Sequence, residues 1–138
     1  MTQIHATCIA IGGKGVLLCG PSGSGKSDLA LRLVDRGAEL VADDRVDLEA
    51  SVGELIASAP ENIKGLMEVR GVGIVDQPVP SGVAVSLVVD LVVPDEVERI
   101  PEPKVTTLCE IEVPLVRLTP FEASAAAKIR VALAHLTQ

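Results

Sequence analysis

The stretch Cys19–Gly37, CGPSGSGKSDLALRLVDRG, sets a glycine-rich turn between an apolar run and a segment of helical periodicity. Within it GPSGSGKS, Gly20 to Ser27, satisfies G-x-x-x-x-G-K-[ST] at every specified position. The physical content of that spacing is a phosphate cradle. Gly20, Gly23 and Gly25 let backbone N–H groups converge on β- and γ-phosphate oxygens with no Cβ in the way. Pro21, Ser22 and Ser24 complete the loop, and the following helix adds the partial positive charge of its N-terminus. Lys26 can span the β- and γ-phosphates, and the Ser27 hydroxyl can take one place around Mg²⁺. The expected ligands are ATP and Mg²⁺; the loop alone does not separate hydrolysis from transfer.

Upstream of the loop, Val16, Leu17 and Leu18 form a short buried strand, and Ile4 to Ile11 alternates toward another, joined by a hairpin at Gly12, Gly13 and Gly15. Downstream, Leu29, Ala30, Leu33 and Val34 fall at helical spacing between Ser27 and Asp35. Arg36 and Gly37 then close the helix as a C-terminal charge and a left-handed cap would. Glu39 to Ala42 is apolar enough for a buried strand and ends in Asp43 and Asp44. The order strand, loop, helix, strand predicts a compact βαβ unit with the loop at the carboxyl end of its first strand.

The rest reads as more sheet. Arg45 to Leu48 extends the strand, Leu55 to Ala57 is a short partner, Pro60 to Leu66 is a turn with room for one helical turn, and Met67 to Val75 alternates around Gly71 and Gly73. Val83 to Val93 is the strongest strand signal. A charged loop over Asp95 to Lys104, a last strand over Cys109 to Leu118, and an Ala-rich helix over Pro120 to Leu136, with Ile129, Leu133 and Leu136 on one face, complete the expectation.

With 138 residues the chain has the size of one domain, read here as residues 1–138. Hydrophobic residues make up 48% of it and Phe121 is the only aromatic, so the core must be aliphatic. That scarcity removes the stacking platforms of single-strand binders, and a net charge of −7 repels phosphate backbones, so no nucleic acid partner is expected. With no aromatic residue near the loop, loose adenine recognition and comparable use of GTP are expected. Val83 to Val93 is too short to cross a membrane, and MTQIHATCIAIGGKG lacks the pattern of a secretory signal, which together predict a soluble, cytoplasmic protein. Cys8, Cys19 and Cys109 have no metal or redox spacing and read as reduced core thiols.

Two adjacent carboxylates at a strand end point in opposite directions while the chain stays extended. Asp43 and Asp44 can therefore divide the work, one toward Mg²⁺ and its waters and one toward an incoming hydroxyl, whose proton phosphoryl transfer must send somewhere. His5 stands alone before the loop and has a structural reading as well as a catalytic one. Glu68 and Arg70, two apart on an alternating segment, read either as a surface ion pair or as a metal ligand and a phosphate clamp.

Together, His5 in HATCIAI, GPSGSGKS, RGAELVADDRVDLE, APENIKGLMEVRGVGIVD and VERIP resemble the C-terminal catalytic domain of HPr kinase/phosphorylase. The resemblance implies an α/β, P-loop-containing kinase core with a mixed β-sheet and few helices, related to phosphoenolpyruvate carboxykinase. It implies a protein serine kinase that passes the ATP γ-phosphate to a serine of HPr, the carrier of the sugar phosphotransferase system, and in some members the reverse attack by inorganic phosphate. Carried over by position, Lys26 holds phosphates, Ser27 and Glu68 bind Mg²⁺, and Asp44 is the base with Asp43 close by. His5 orients that carboxylate or the phosphate, and Arg99 neutralises charge on the transferring group. The expected partners are an HPr-like phosphocarrier and further copies of the chain.

Departures from the pattern qualify what carries over. The chain is expected to be a short form without the N-terminal domain of longer members. QPVPSGVAVSLVVD is shorter than its counterpart, and VPLVRLTPFEAS replaces a longer basic loop, which leaves Arg117 as a loose equivalent of that loop's arginine. Both trimmed loops bear on the reverse reaction and on gripping partner or neighbouring subunits. Two other readings fit the residues: a small-molecule kinase on the same core, and a nucleotide-responsive module that transfers nothing.

Overall fold

The computed structural model describes residues 1–137. Eleven strands and two α-helices follow in the order β1 Thr2–Ile4, β2 Ala6–Ile11, β3 Lys14–Cys19, α1 Lys26–Asp35, β4 Glu39–Ala42, β5 Val46–Ser51, β6 Glu54–Ser58, β7 Leu66–Val69, β8 Gly73–Asp76, β9 Val83–Leu91, β10 Lys104–Leu108, β11 Ile111–Leu118 and α2 Ala125–Leu136. Single turns of 3₁₀ helix lie at Glu61–Ile63 and Pro94–Glu96.

The main sheet has nine strands along the path β1-β5-β6-β9-β3-β2-β4, with β11 also joined to β9 and β10 to β11. Strand β9 is the branch point. Its start pairs antiparallel with β6 at Val83 and Ala84, its end runs parallel to β11 from Val88 to Leu91, and its other edge runs parallel to β3. A bulge sets Gly15 opposite Val85 but Val16 opposite Leu87. The extra residue, Ser86, reverses the inward face of β9 partway along, as a bulge does in a period-two strand. Val83 and Val85 therefore join one core, while Leu87, Val89 and Leu91 join the other.

The two cores lie on opposite faces of the sheet. One gathers Ile9, Val16, Leu18, Leu29, Leu33, Met67 and Ile129 beneath α1, α2 and the β7–β8 hairpin. The other gathers Cys8, Leu17, Val41, Leu48, Leu55 and Val113 beneath the β1-β5-β6 wing and the β10–β11 hairpin. Alternation along β2 and β3 serves both, Ile9 against Cys8 and Leu18 against Leu17, so these central strands read as continuous apolar runs.

Several sequence expectations need correction. The run Ile4 to Ile11 breaks at His5, so that β1 pairs with β5 while β2 pairs with β3 and β4. The βαβ unit exists with a strand inserted: β3 and β4 are each antiparallel to β2 and hence parallel to one another across it. Cys109 does not begin the last strand. With Glu110 it forms the turn of the β10–β11 hairpin at positive φ, 50° and 66°, and β10, Lys104–Leu108, lies between the expected charged loop and the expected last strand. The last helix begins at Ala125, because Pro120 to Ser124 form a turn-rich connection, and Leu136 is 38% exposed rather than buried with Ile129 and Leu133.

Candidate active site

Parallel strands β3, β9, β11 and β4 end on the same edge of the sheet, where ligands collect in open α/β sheets. The phosphate loop leaves β3, the aspartate pair leaves β4, and the connection to α2 leaves β11, so three loops distant in sequence become neighbours. Helix α1 starts at Lys26, and Gly25 in front of it has φ 93°, with no side chain capping the first-turn amides. Those N–H groups have no intrahelical acceptor, which makes the turn receptive to an anion.

Lys26 is 7% exposed, and its Nζ donates to the carbonyl oxygens of Gly20 at 2.6 Å and Pro21 at 3.0 Å. Ser27 Oγ donates to Asp43 Oδ1 at 2.8 Å, and Thr7 Oγ1, fully buried on β2, donates to the same oxygen at 3.1 Å. Asp43 is thereby turned inward against the start of α1 and is 7% exposed. Asp44 goes the other way. Its φ of 72° lies in the left-handed region, which aspartate tolerates better than most residues. Its side chain is 65% exposed, with Oδ1 accepting from His5 Nε2 at 2.8 Å and Oδ2 lying 3.9 Å from Arg45 Nε. An open depression of about 350 Å³ adjoins it, lined by Gln3, Ile4, His5, Asp44 and Arg45.

The structure thus brings together His5, Gly20 to Ser27, Asp43 and Asp44. The remaining candidates stand apart. Glu68 is exposed on β7, Arg70 is exposed in the β7–β8 turn, and neither enters an ion pair among the described residues, so the surface-pair reading of those two is not what the structure contains. Arg99 lies in the exposed connection after Pro94–Glu96, and Arg117 is exposed on β11 in register with Asp90. Sequence reading missed Thr7 and Arg45. Thr7 had a signal, since it sits two residues from His5 on a run predicted as strand and so shares its face. Arg45 had none beyond adjacency.

Phe121 also corrects an expectation. The sequence suggests no aromatic residue near the loop, yet a Cβ built on Gly25 would come within 3.2 Å of Phe121 Cε1 and of the Pro120 ring. Cys8 belongs to the second core, and Cys19, the last residue of β3 before the loop, packs against it. Burial pushes the Cys8 thiol up to about 12. Burial, then the charge of Asp90, push Cys19 up to about 11 against the opposing charge of Lys26. Both are neutral thiols at ordinary pH, and all three cysteines are free.

Among the described residues no group of three or more His, Cys, Asp and Glu is placed to hold a metal ion. The hydroxyl of Ser27 beside the Asp43 carboxylate is a hard oxygen pair, and Mg²⁺ is commonly bound by one or two such protein ligands with water and phosphate supplying the rest. The residues present fit that ion and the triphosphate that accompanies it.

The family model for the HPr Serine kinase C-terminal domain matches residues 1–133. The chain belongs to that family. HPr kinase/phosphorylase of Clostridium tetani is 47% identical over 90 residues, which cover 65% of this chain and 29% of the relative. The enzyme of the same name from Clostridium acetobutylicum is 45% identical over 83 residues, 60% of this chain and 27% of the relative. The chain therefore spans less than a third of the length of these curated kinase relatives. A solved structure of the HPr(Ser) kinase/phosphatase from Coxiella burnetii superposes with a TM-score of 0.87 at 29% identity, covering 99% of this chain and 96% of that one. The α/β kinase core with a mixed sheet and few helices, expected from the sequence, is the fold of the molecule. No helix among the described residues is long and apolar enough to cross a membrane.

Proposed function

We propose that this chain is a Mg²⁺-dependent ATP:protein serine kinase whose acceptor is a seryl hydroxyl of an HPr-type phosphocarrier. The observation that carries the reading is the division of the aspartate pair: Asp43 bonded to Ser27 inside the phosphate loop, Asp44 turned outward onto an open depression beside His5. A phosphoryl transferase needs an anion cradle on one side and a proton acceptor on the other, and the left-handed φ of Asp44 just after β4 accompanies the turning of its carboxylate away from that of Asp43.

In this reading the loop amides and Lys26 hold the triphosphate, and Ser27 with Asp43 would hold Mg²⁺, with Glu68 a further candidate ligand. The ion, when bound, supplies charge neutralisation on the phosphate oxygens. The acceptor serine oxygen forms a bond to the γ-phosphorus as the bond from that phosphorus to the β–γ bridging oxygen breaks, its electron pair leaving with ADP. Asp44 takes the serine proton, held in direction by His5. Arg70 and Arg99 lie on exposed segments and act in this scheme only once those segments close over the nucleotide or the acceptor.

Incubating the protein with Mg·ATP and an HPr-type carrier, followed by mass mapping, tests the proposal. Phosphate is expected on a carrier serine, absent with Lys26→Ala and reduced about 10²- to 10⁴-fold with Asp44→Asn, the usual worth of a general base. Undiminished transfer by either variant would reject the assigned site, and phosphate on a metabolite but on no carrier would reject the acceptor.

A further inference from the structure

Phe121 is 73% exposed, although the chain has no other aromatic residue to spend on its core. An isolated exposed apolar side chain is ordinary, but this one is held in place by a specific device. Arg32 of α1 donates from Nη1 to the Glu122 carbonyl at 3.2 Å and from Nη2 to the Pro120 carbonyl, while its Nε pairs with Asp28 at 3.2 Å. The guanidinium therefore clamps the backbone on both sides of Phe121 to the helix that carries the phosphate loop. Pro120 is buried in the same turn. The ring is left lying against Gly25, where a Cβ would crowd it at 3.2 Å.

We propose that Phe121 is the face on which the base of the bound nucleoside triphosphate stacks. The inference rests on the reading of Gly20–Ser27 as the phosphate site and adds the subsite that distinguishes a nucleotide from a bare polyphosphate. The β11–α2 connection meets the phosphate loop at Gly25, so in this inference the ribose and base of a triphosphate held on the loop amides extend toward Phe121. With the backbone on both sides of Phe121 already held by Arg32, stacking has only the ring's own rotation left to fix. Stacking on one face selects a flat base without reading its edge, so ATP and GTP bind within a few-fold of each other.

Equilibrium binding of Mg·ATP and of inorganic tripolyphosphate to the wild type, Phe121→Ala and Phe121→Trp tests this. Phe121→Ala is expected to weaken Mg·ATP about tenfold, the lower part of the range for a lost base–aromatic stack, and to leave tripolyphosphate unchanged. Phe121→Trp is expected to retain nucleotide affinity, and its fluorescence, the only indole signal in the chain, to be quenched by ATP and not by tripolyphosphate. Equal weakening of both ligands would overturn the inference by making Phe121 a support of the loop. Unchanged ATP affinity together with a raised KM for the carrier would overturn it by giving the ring to the acceptor protein. Wild type that binds neither ligand would instead remove the phosphate site itself, which separates failure of the proposed function from failure of the stacking subsite.

Discussion

Replacing Thr7 by valine keeps the shape of a fully buried side chain and removes only the hydroxyl that donates to Asp43 Oδ1 at 3.1 Å. A hydrogen bond to a charged group contributes about 1.5–3 kcal/mol. This one is long for a hydroxyl donor, and its acceptor keeps the Ser27 hydroxyl at 2.8 Å, so the lower end applies. The added methyl gains a little from burial, leaving a net loss of about 1 kcal/mol, or roughly a fivefold shift in the folding equilibrium and a few degrees in Tm. Urea denaturation with matched slopes measures it. A valine variant as stable as wild type would refute the claim that Thr7 orients Asp43. Thr7→Ser keeps the hydroxyl but gives up the buried methyl, a loss of about 1 kcal/mol in its own right, so serine is the control for ligand binding and not for stability. If the orienting role holds, valine also weakens Mg²⁺-dependent ATP binding while serine leaves it close to normal.

Asp44 occupies φ 72° for the sake of its direction. Asp44→Gly is expected to raise stability by a few tenths to about 1 kcal/mol in thermal melts, since glycine adopts that conformation freely, while transfer to the carrier collapses; a variant destabilised by more than about 1 kcal/mol would mean the His5 contact outweighs the strain. Stability should fall on the alkaline side. Cys8 and Cys19 keep their protons in the fold up to about 12 and about 11, whereas thiols in the unfolded chain release theirs from about pH 8.5 upward. The unfolded state then binds fewer protons, and stability drops as pH rises between those limits by up to about 1.4 kcal/mol per pH unit per thiol. Cys8→Ala should flatten the slope of a denaturation midpoint against pH, and an unchanged slope would show that other groups carry it.

Much of the loop half of the candidate site was legible in the chain because its determinants are local. Glycines at fixed offsets, a lysine at the first helical position and a carboxylate pair at a strand end each act through residues a few positions away, and the motif's spacing is their geometry. Helix α1 and β3 were legible for the same reason, since periodicity of 3.6 or 2 reports one element facing one core. Resemblance carried His5 further than its own chemistry could, because a lone histidine has no local signature.

What tertiary structure alone decided is adjacency across the sheet. That β2 slips between β3 and β4, that β9 reverses its face at Ser86, and that β11 ends beside β3 depend on strand order, which no local pattern encodes. Thr7 reaches Asp43, and Phe121 reaches Gly25, only because that order brings the ends of separate strands to one edge. The sequence by itself determined which groups could bind a triphosphate; long-range pairing decided which of them meet.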